Sequence, residues 1–527
     1  MTKGREKSDG LHSTGKPSKD GLNPGEQGGG MAATASKGTG QPELFPETAD
    51  SPKGNVAGAD RGQPLSATSA VPLSRDPKGE VRSTVTNIVM SLDEVADVGT
   101  LRMSFEKVKE NDGAPGPDRQ SVSMVEEHLE ELLPSLSRAL RDETYEPGMI
   151  RRVWIPKAGG GQRGLGIPNV VDRVVAQAIK EVMTPHYDPT FHPSSHGFRP
   201  GRSCHTAIAE AKTYLEDGYE WVVDLDLETF FDRVSHDRLL SRLEKRVQDR
   251  RLIRLIRRML KAKVVMPDGV VVTTEEGTPQ GGPASPLLSN IVLDELDWEM
   301  TRRGYRFVRY ADDCNIYVRS ERAGKRVMAS ITRFIEKRLR LKVNRDKSAV
   351  AKPEGRHFLG FRLRRVPIDG RIEVMLSKRS EDRINEKIKA KTPRNWGQSL
   401  RSCIKGLNLY LTGWINFFRI CTAAEERTLR NLDAHIRRRL RAILLRQWKR
   451  RRTIVRRLIR LGIKPKTAWR SIYNGRKALW ALSHNPAVDR ALRNAYFAAR
   501  GLVSIEQRWR ELAESVTAPQ QLPLVFG

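Results

Sequence analysis

The chain has 527 residues, 93 Lys and Arg against 63 Asp and Glu, and a formal net charge of +30. An excess of that size calls for a polyanionic partner, nucleic acid before an anionic membrane, and no apolar run approaches the ~20 residues that span a bilayer. The N-terminus carries no apolar stretch of a signal peptide. The scattered Cys204, Cys314, Cys403 and Cys421 form no Cys-x-x-Cys pair, which argues against a disulfide framework or zinc ribbon and for a reduced, cytoplasmic setting.

Residues 1–80 are rich in Gly, Ser, Pro, Lys and Asp, with no Trp or Tyr and only Phe45. That is too little apolar surface to offset chain entropy, so a disordered extension is expected. From 82 the pattern turns helical. Val85, Ile88, Val89 and Leu92 share one face, and Leu101, Phe105 and Val108 continue it. A turn-rich loop over 111–118 precedes a helix carrying Val125, Leu129, Leu132, Leu133, Leu136 and Leu140. Residues 150–168 read as strand, Gly-rich loop, strand, with Lys157 and Arg163 flanking the tip. Two cations on a hairpin that folds over a ligand suit a triphosphate, although cations on a surface hairpin are commonly just solvated. Residues 170–215 are helical around a loop from His192 to His205. His192, His196, Cys204 and His205 fit no common zinc spacing. Arg199 and Arg202 are expected on phosphates.

The alternation Val222, Asp224, Asp226 puts both aspartates on one face of a strand. The strand runs into Phe230-Phe231, and a helix from near Ser235 carries Leu239, Leu240 and Leu243. A hairpin over Val264–Thr274 turns at Pro267-Asp268-Gly269. Pro279-Gln280-Gly281-Gly282 follows, where adjacent glycines let the backbone approach a ligand closely. Next comes a helix with Leu287, Leu288, Ile291, Val292 and Leu296. In Tyr305–Val318 two alternating runs flank Asp312 and Asp313, so adjacent carboxylates sit at a hairpin turn. Neighbouring carboxylates repel, and a divalent metal offsets that cost; a solvated Asp-Asp turn is the plain alternative. An amphipathic helix over 322–340 and a strand over His357–Leu363 complete this part.

From 376 the chain is helical and very basic. Residues 436–460 hold 12 Arg and Lys and no acid, with Ile436, Leu440, Ile443, Leu444 and Trp448 at helical spacing. An apolar stripe facing inward and Arg facing outward describe a nucleic-acid-binding helix. Arg437, Arg438, Arg441, Lys449, Arg450 and Arg451 are its candidate contacts.

Asp226, Asp312 and Asp313 together suit two-metal phosphoryl transfer. Bridging carboxylates would hold two Mg²⁺ ions ~3.5–4 Å apart, one activating a 3′-hydroxyl and one stabilising the pyrophosphate. Positioning and electrostatics carry such a reaction without a side-chain general base. Lys157 and Arg163 would neutralise the triphosphate. The aromatic bulk of Phe231 beside Asp226 either excludes a 2′-hydroxyl and so selects dNTPs, or packs in the core; both readings stand.

Tyr310-Ala311-Asp312-Asp313 resembles the signature box of reverse transcriptases. It is preceded, in that family's order, by Ile155-Pro156-Lys157 with Arg163, Gly197-Phe198-Arg199-Pro200-Gly201-Arg202-Ser203, Asp226 with Phe230-Phe231-Asp232, and Pro279-Gln280-Gly281-Gly282. Asn344 to Lys347 and Phe358-Leu359-Gly360-Phe361 follow it. The set resembles the group II intron-encoded reverse transcriptase/maturase over roughly residues 82–510.

The resemblance implies an α+β right-hand polymerase fold with an antiparallel palm sheet. Fingers and palm would occupy 82–366, an all-helical maturase (thumb) domain 376–450, marked by Gly413-Trp414-Ile415-Asn416-Phe417-Phe418, and a basic helical DNA-binding region 451–527. It implies metal ligation by Asp226, Asp312, Asp313 and the Leu227 carbonyl, with Asp224 behind them. Lys157 and Arg163 would hold the triphosphate, Gln280 would line the nucleotide pocket, Phe231 would gate the sugar, and Lys347 would sit near primer or nucleotide. The implied partners are intron RNA, target DNA, dNTPs and a primed RNA template; the implied functions are cDNA synthesis, splicing and intron mobility. Trp469, Trp480 and Trp509 are expected in the core. No Cys follows Cys421, so the His-Asn-His endonuclease with paired cysteines is not expected, as in the bacterial class C type. The alternative is a non-catalytic RNA-binding splicing factor on a degenerate polymerase fold, against which the complete Asp226, Asp312, Asp313, Lys157, Arg163 and Gln280 set argues.

Overall fold

The computed structural model describes residues 90–156, 161–278, 281–393, 395–474 and 478–517. The extension expected over 1–80, the positions Val85, Ile88 and Val89, and the candidate residues Lys157 and Gln280 lie outside the described residues.

The strands are β1 (Ile150–Pro156), β2 (Gln162–Ile167), β3 (Trp221–Leu225), β4 (Val264–Val265), β5 (Val271–Val272), β6 (Arg306–Tyr310), β7 (Asp313–Val318), β8 (Ala349–Ala351), β9 (Phe361–Arg365) and β10 (Ile372–Leu376). They form two four-stranded sheets, β2-β1-β4-β5 and β6-β7-β3-β8, and the β9–β10 pair. The first sheet contains the hairpin read around Arg163, which faces Ile155 across the ladder, and the one read around Gly269. The second is antiparallel throughout.

Both faces of the β6-β7-β3-β8 sheet are covered, and its side-chain alternation explains why. Val223, Leu225, Phe307, Cys314 and Ile316 point into a core shared with helices Val98–Glu110, Leu129–Arg141, Val170–Tyr187, Leu239-bearing His236–Glu244 and Ser285–Arg302. Val222, Val308 and Tyr317 point the other way, into a core that includes helix Cys204–Glu216 and continues through helices Lys378–Lys391, Leu400–Phe418 and Glu426–Gln447 to Trp509. The second helix read from the sequence is interrupted at His128, giving Val122–Glu127 and Leu129–Arg141. The strand expected over His357–Leu363 begins only at Phe361, because Leu359 and Gly360 both take positive φ and fold Phe358 back onto Phe361.

The C-terminal core is anchored by Trp414, 2% exposed, whose ring lies 4.6 Å from that of Phe418. Trp414→Ala removes the largest buried side chain there and should cost about 3–5 kcal/mol, read as a lower denaturant midpoint.

Candidate active site

The carboxylates are brought together by strand register. β3 and β7 pair Asp224 with Asn315 and Leu225 with Cys314, so Asp226 continues the ladder opposite Asp313, on the face that also carries Asp224. β6 and β7 pair Tyr310 with Asp313, which leaves Ala311-Asp312 as a two-residue turn with Ala311 at φ 56°. Hairpins this tight need positive φ. Asp312 is half-buried there, and Asp313 opens onto solvent.

The turn is fixed from beneath by Arg309, which is 0% exposed. Its Nε and Nη2 donate to both carboxylate oxygens of buried Asp297, at 2.7 and 2.5 Å. Nη1 donates to Asn290 Oδ1 (3.0 Å) and to the Ala311 carbonyl (2.8 Å), and Nη2 also donates to Ser195 Oγ (2.7 Å). All five guanidinium hydrogens are thereby used, the condition for burying a charge without a large penalty. Burial alone would lower the Arg309 pKa, but Asp297 outweighs it and the pKa is raised. The loop beneath completes the seat. His196 N–H donates to Arg309 O and Arg309 N–H to Ser194 O, while Asn290 Nδ2 donates to Gly197 O at 2.9 Å. A Cβ on Gly197 would lie 2.3 Å from the Ala311 nitrogen, so this approach demands glycine.

Asp226 is held by a different segment. Its N–H donates to Ser348 Oγ (3.0 Å), and its carbonyl accepts from Asn344 N–H (2.8 Å). Leu227 bridges Val343. The Asn344–Lys347 motif therefore lies against Asp226, and Lys347 Nζ is 3.8 Å from Asp226 Oδ2. Asp224 is bound by Arg356 Nε at 2.8 Å, so its charge is already paired.

The electrostatics are those of an under-neutralised acidic cluster. Desolvation in the cleft comes first and repulsion from Asp226 adds to it, and together they raise the Asp312 pKa despite the opposing pull of Arg163 and Arg309. Loss of water around the carboxyl, and then Asp312, Asp224 and Asp226, raise that of Asp313, and Arg379 opposes. The hard-oxygen donor set fits Mg²⁺. Among the described residues, however, no three His, Cys, Asp or Glu side chains close into a preformed metal cage.

Other expected site residues fall as follows. Arg163 reaches Asp312 electrostatically. Phe231 is 5% exposed, edge-on to Phe230 at 5.3 Å, and its carbonyl accepts from Thr278 N–H at 2.7 Å, so its packing in the core is plain. Gly281 (φ 120°) abuts β2 instead of leaving room for a ligand, since a Cβ there would meet Gly166 O at 2.5 Å. His196 is bound by Thr206 and Glu210 and His205 by Phe417 O, so the histidine loop is structural.

Three expectations are corrected. Arg199 does not face phosphate: it donates to Asp188 Oδ1 at 2.7 Å and to the carbonyls of Asp188, His192 and Ser195, with its side chain 6% exposed. Arg441 is likewise buried, pairing with Asp489 and donating to Leu492 O at 3.0 Å. Trp469 is 43% exposed rather than in the core. Trp509 is buried, and Trp480 is half-buried beneath Arg438, 4.2 Å from its ring centre. Arg202 and Arg437 are half-buried, Lys449 and Arg450 exposed, and Arg451 half-buried.

The sequence reading gave no role to Arg309, Asp297, Asn290, Ser348 or Arg379. A signal existed for Arg309: it occupies an inward position of an alternating strand, where a charge requires a buried counter-charge. Arg309→Met leaves Asp297 buried and unpaired and should cost about 3–5 kcal/mol, measured by denaturation. Because the Asp313 pKa is raised by folding, the metal-free fold binds more protons than the unfolded chain above the ordinary carboxylate pKa. Its stability should fall as pH rises through that window. Asp313→Asn should therefore raise the metal-free Tm by a few degrees at pH 8, less at pH 6, and remove the stabilisation by Mg²⁺.

Two family models match this chain. Residues 155–363 match the family Reverse transcriptase (RNA-dependent DNA polymerase), and residues 382–459 match Group II intron, maturase-specific domain. The chain is 32% identical over 329 residues to Protein YkfC of Escherichia coli (strain K12), covering 55% of this chain and 84% of that one. It is 28% identical to the putative COX1/OXI3 intron 2 protein of Saccharomyces cerevisiae, over 54% of this chain and 40% of the relative. It is 38% identical over 169 residues to the group II intron-encoded protein LtrA of Lactococcus lactis subsp. cremoris, over 32% of this chain and 28% of LtrA. The aligned regions thus span less than half of either intron protein. With both domains matched in order and most of YkfC covered, the chain belongs to the group II intron-encoded reverse transcriptase/maturase family, a family of RNA-directed DNA polymerases.

Proposed function

We propose that this chain extends a primer 3′-hydroxyl with dNTPs on an RNA template at the Asp226, Asp312, Asp313 cluster, and that its helical C-terminal part binds intron RNA and target DNA for splicing and mobility. The observation that carries the reading is the seating of the Asp-Asp turn. A buried five-bond guanidinium and an obligatory glycine hold two repelling carboxylates beside a third, which a solvated turn would not require. Residues 82–366 would be fingers and palm, 376–450 the maturase (thumb) domain, and 451–527 a basic DNA-contacting region.

Asp226, Asp312, Asp313 and the Leu227 carbonyl would hold two Mg²⁺ ions, which activate the 3′-hydroxyl and stabilise the pyrophosphate when bound. Arg163, exposed on β2 and acting on Asp312, would orient the triphosphate together with Lys157. Lys347, beside Asp226, would sit at the primer terminus or incoming nucleotide. Gln280 would line the nucleotide pocket. Phe231, immobilised by its core packing, would gate the sugar by bulk alone, its rigidity favouring steric exclusion. Among the described residues no helix is long and apolar enough to cross a membrane.

Asp312→Asn should abolish Mg²⁺-dependent dTTP incorporation on poly(rA)/oligo(dT) while RNA binding stays at the wild-type level. Wild-type protein that binds RNA tightly but incorporates nothing would overturn the polymerase assignment for this chain. Phe231→Ala should leave dTTP incorporation measurable and raise the relative use of the ribonucleotide by about tenfold or more, compared as kcat/KM ratios.

A further inference from the structure

Two large aromatic rings lie exposed on the most basic part of the molecule. Helix Pro465–Tyr473 buries Ala468 and Ile472, both 0% exposed, and presents Trp469 and Tyr473 one turn apart on another face. The rings are 43% and 42% exposed, stacked with centroids 5.1 Å apart and planes 25° from parallel. The guanidinium of Arg451, at the start of helix Arg451–Arg460, lies over the Tyr473 ring, 5.8 Å from its centre. Residues 449–470 contain ten Lys and Arg and no acid. All of them except the half-buried Arg451 are exposed, Lys466 and Arg470 on the same short helix as the rings.

Each feature alone has a bland reading. Exposed aromatic residues occur on ordinary surfaces, and a cationic helix can simply be solvated. Their coincidence is more specific. Phosphates are attracted by a field of unmixed positive sign, and a nucleobase needs a flat, π-rich surface with an adjacent guanidinium. Stacked bases inside a duplex have no free face to offer, whereas unpaired bases do.

We propose that Trp469 and Tyr473, with Arg451 behind them, form a stacking platform for an unpaired nucleobase of a single strand, whose flanking phosphates lie on the cations of residues 449–470. This deepens the proposed nucleic-acid contact of residues 451–527 and rests on it. The same chemistry would serve a single-stranded DNA segment or an RNA loop.

The test uses the full chain and oligonucleotides of one sequence as single-stranded DNA, single-stranded RNA and duplex DNA, each carrying 5-iodouracil. Irradiation should crosslink a single strand to the peptide holding Trp469 or Tyr473, with the duplex several-fold weaker; the better of the two single strands identifies the source. Replacing both Trp469→Ala and Tyr473→Ala should weaken that single strand by roughly tenfold with an unchanged Tm, and Trp469→Phe should restore most of the affinity. Wild-type affinity in the double variant, or equal crosslinking of the duplex, overturns the platform. Lys466→Glu with Arg470→Glu separates the two layers of the argument. If charge reversal weakens binding and the aromatic variant does not, the basic contact stands and the platform falls. If neither matters, both fall.

Discussion

The site depends on one buried ion pair. Arg309 and Asp297 are both excluded from water, and a charge in that position is tolerable only with every polar bond made. The bonds it makes run to three different parts of the chain: Asp297 and Asn290 on helix Ser285–Arg302, Ser195 in the loop beneath, and Ala311 in the Asp-Asp turn. A guanidinium offers donors in a fixed planar fork, so these parts are locked in register with one another. The Asp312 and Asp313 side chains inherit a position set by a residue that never reaches the cleft.

That rigidity answers the repulsion among the carboxylates. Asp312 and Asp313 both bind protons more readily than ordinary aspartates, first because the fold strips water from them and then because neighbouring carboxylates repel them. The described residues relieve this in part: Arg356 is committed to Asp224, Lys347 stands 3.8 Å from Asp226, and Arg163, Arg309 and Arg379 act on the turn electrostatically. The remaining negative potential is what a divalent cation responds to. Tight backbone support and incomplete neutralisation are complementary: the first permits the second.

The sequence discloses this arrangement unevenly. The Asp312-Asp313 turn is legible because alternating runs around a two-residue turn leave little freedom in register, whereas the pairing that sets Asp226 opposite Asp313 is not. The placing of Asn344–Lys347 against Asp226 follows from resemblance alone, since nothing local brings residues so distant together. Arginine was the least legible residue. Arg199, Arg441, Arg309 and Arg450 look alike in composition, yet the first three are buried and bonded to carbonyls or carboxylates and the fourth is exposed. Their partners, Asp188, Asp489 and Asp297, announce themselves only in three dimensions. Trp469 and Trp509 illustrate the same limit for aromatics: both sit on amphipathic helices, and only packing decides that one is covered and the other is not.

The face of the sheet that carries the aspartates is covered first by helix Cys204–Glu216 and then by the helices after residue 376. Val222, Val308 and Tyr317 lie in one apolar cluster with Trp414, Leu440, Val488 and Trp509, and His205 is hydrogen-bonded to the carbonyl of Phe417 at 2.6 Å. The helices after residue 376 therefore continue an apolar core that the sheet and helix Cys204–Glu216 begin. Cutting the chain near residue 376 would leave helix Cys204–Glu216 on the aspartate-bearing face of the sheet but expose the outer side of that helix, where His205 meets Phe417, to water.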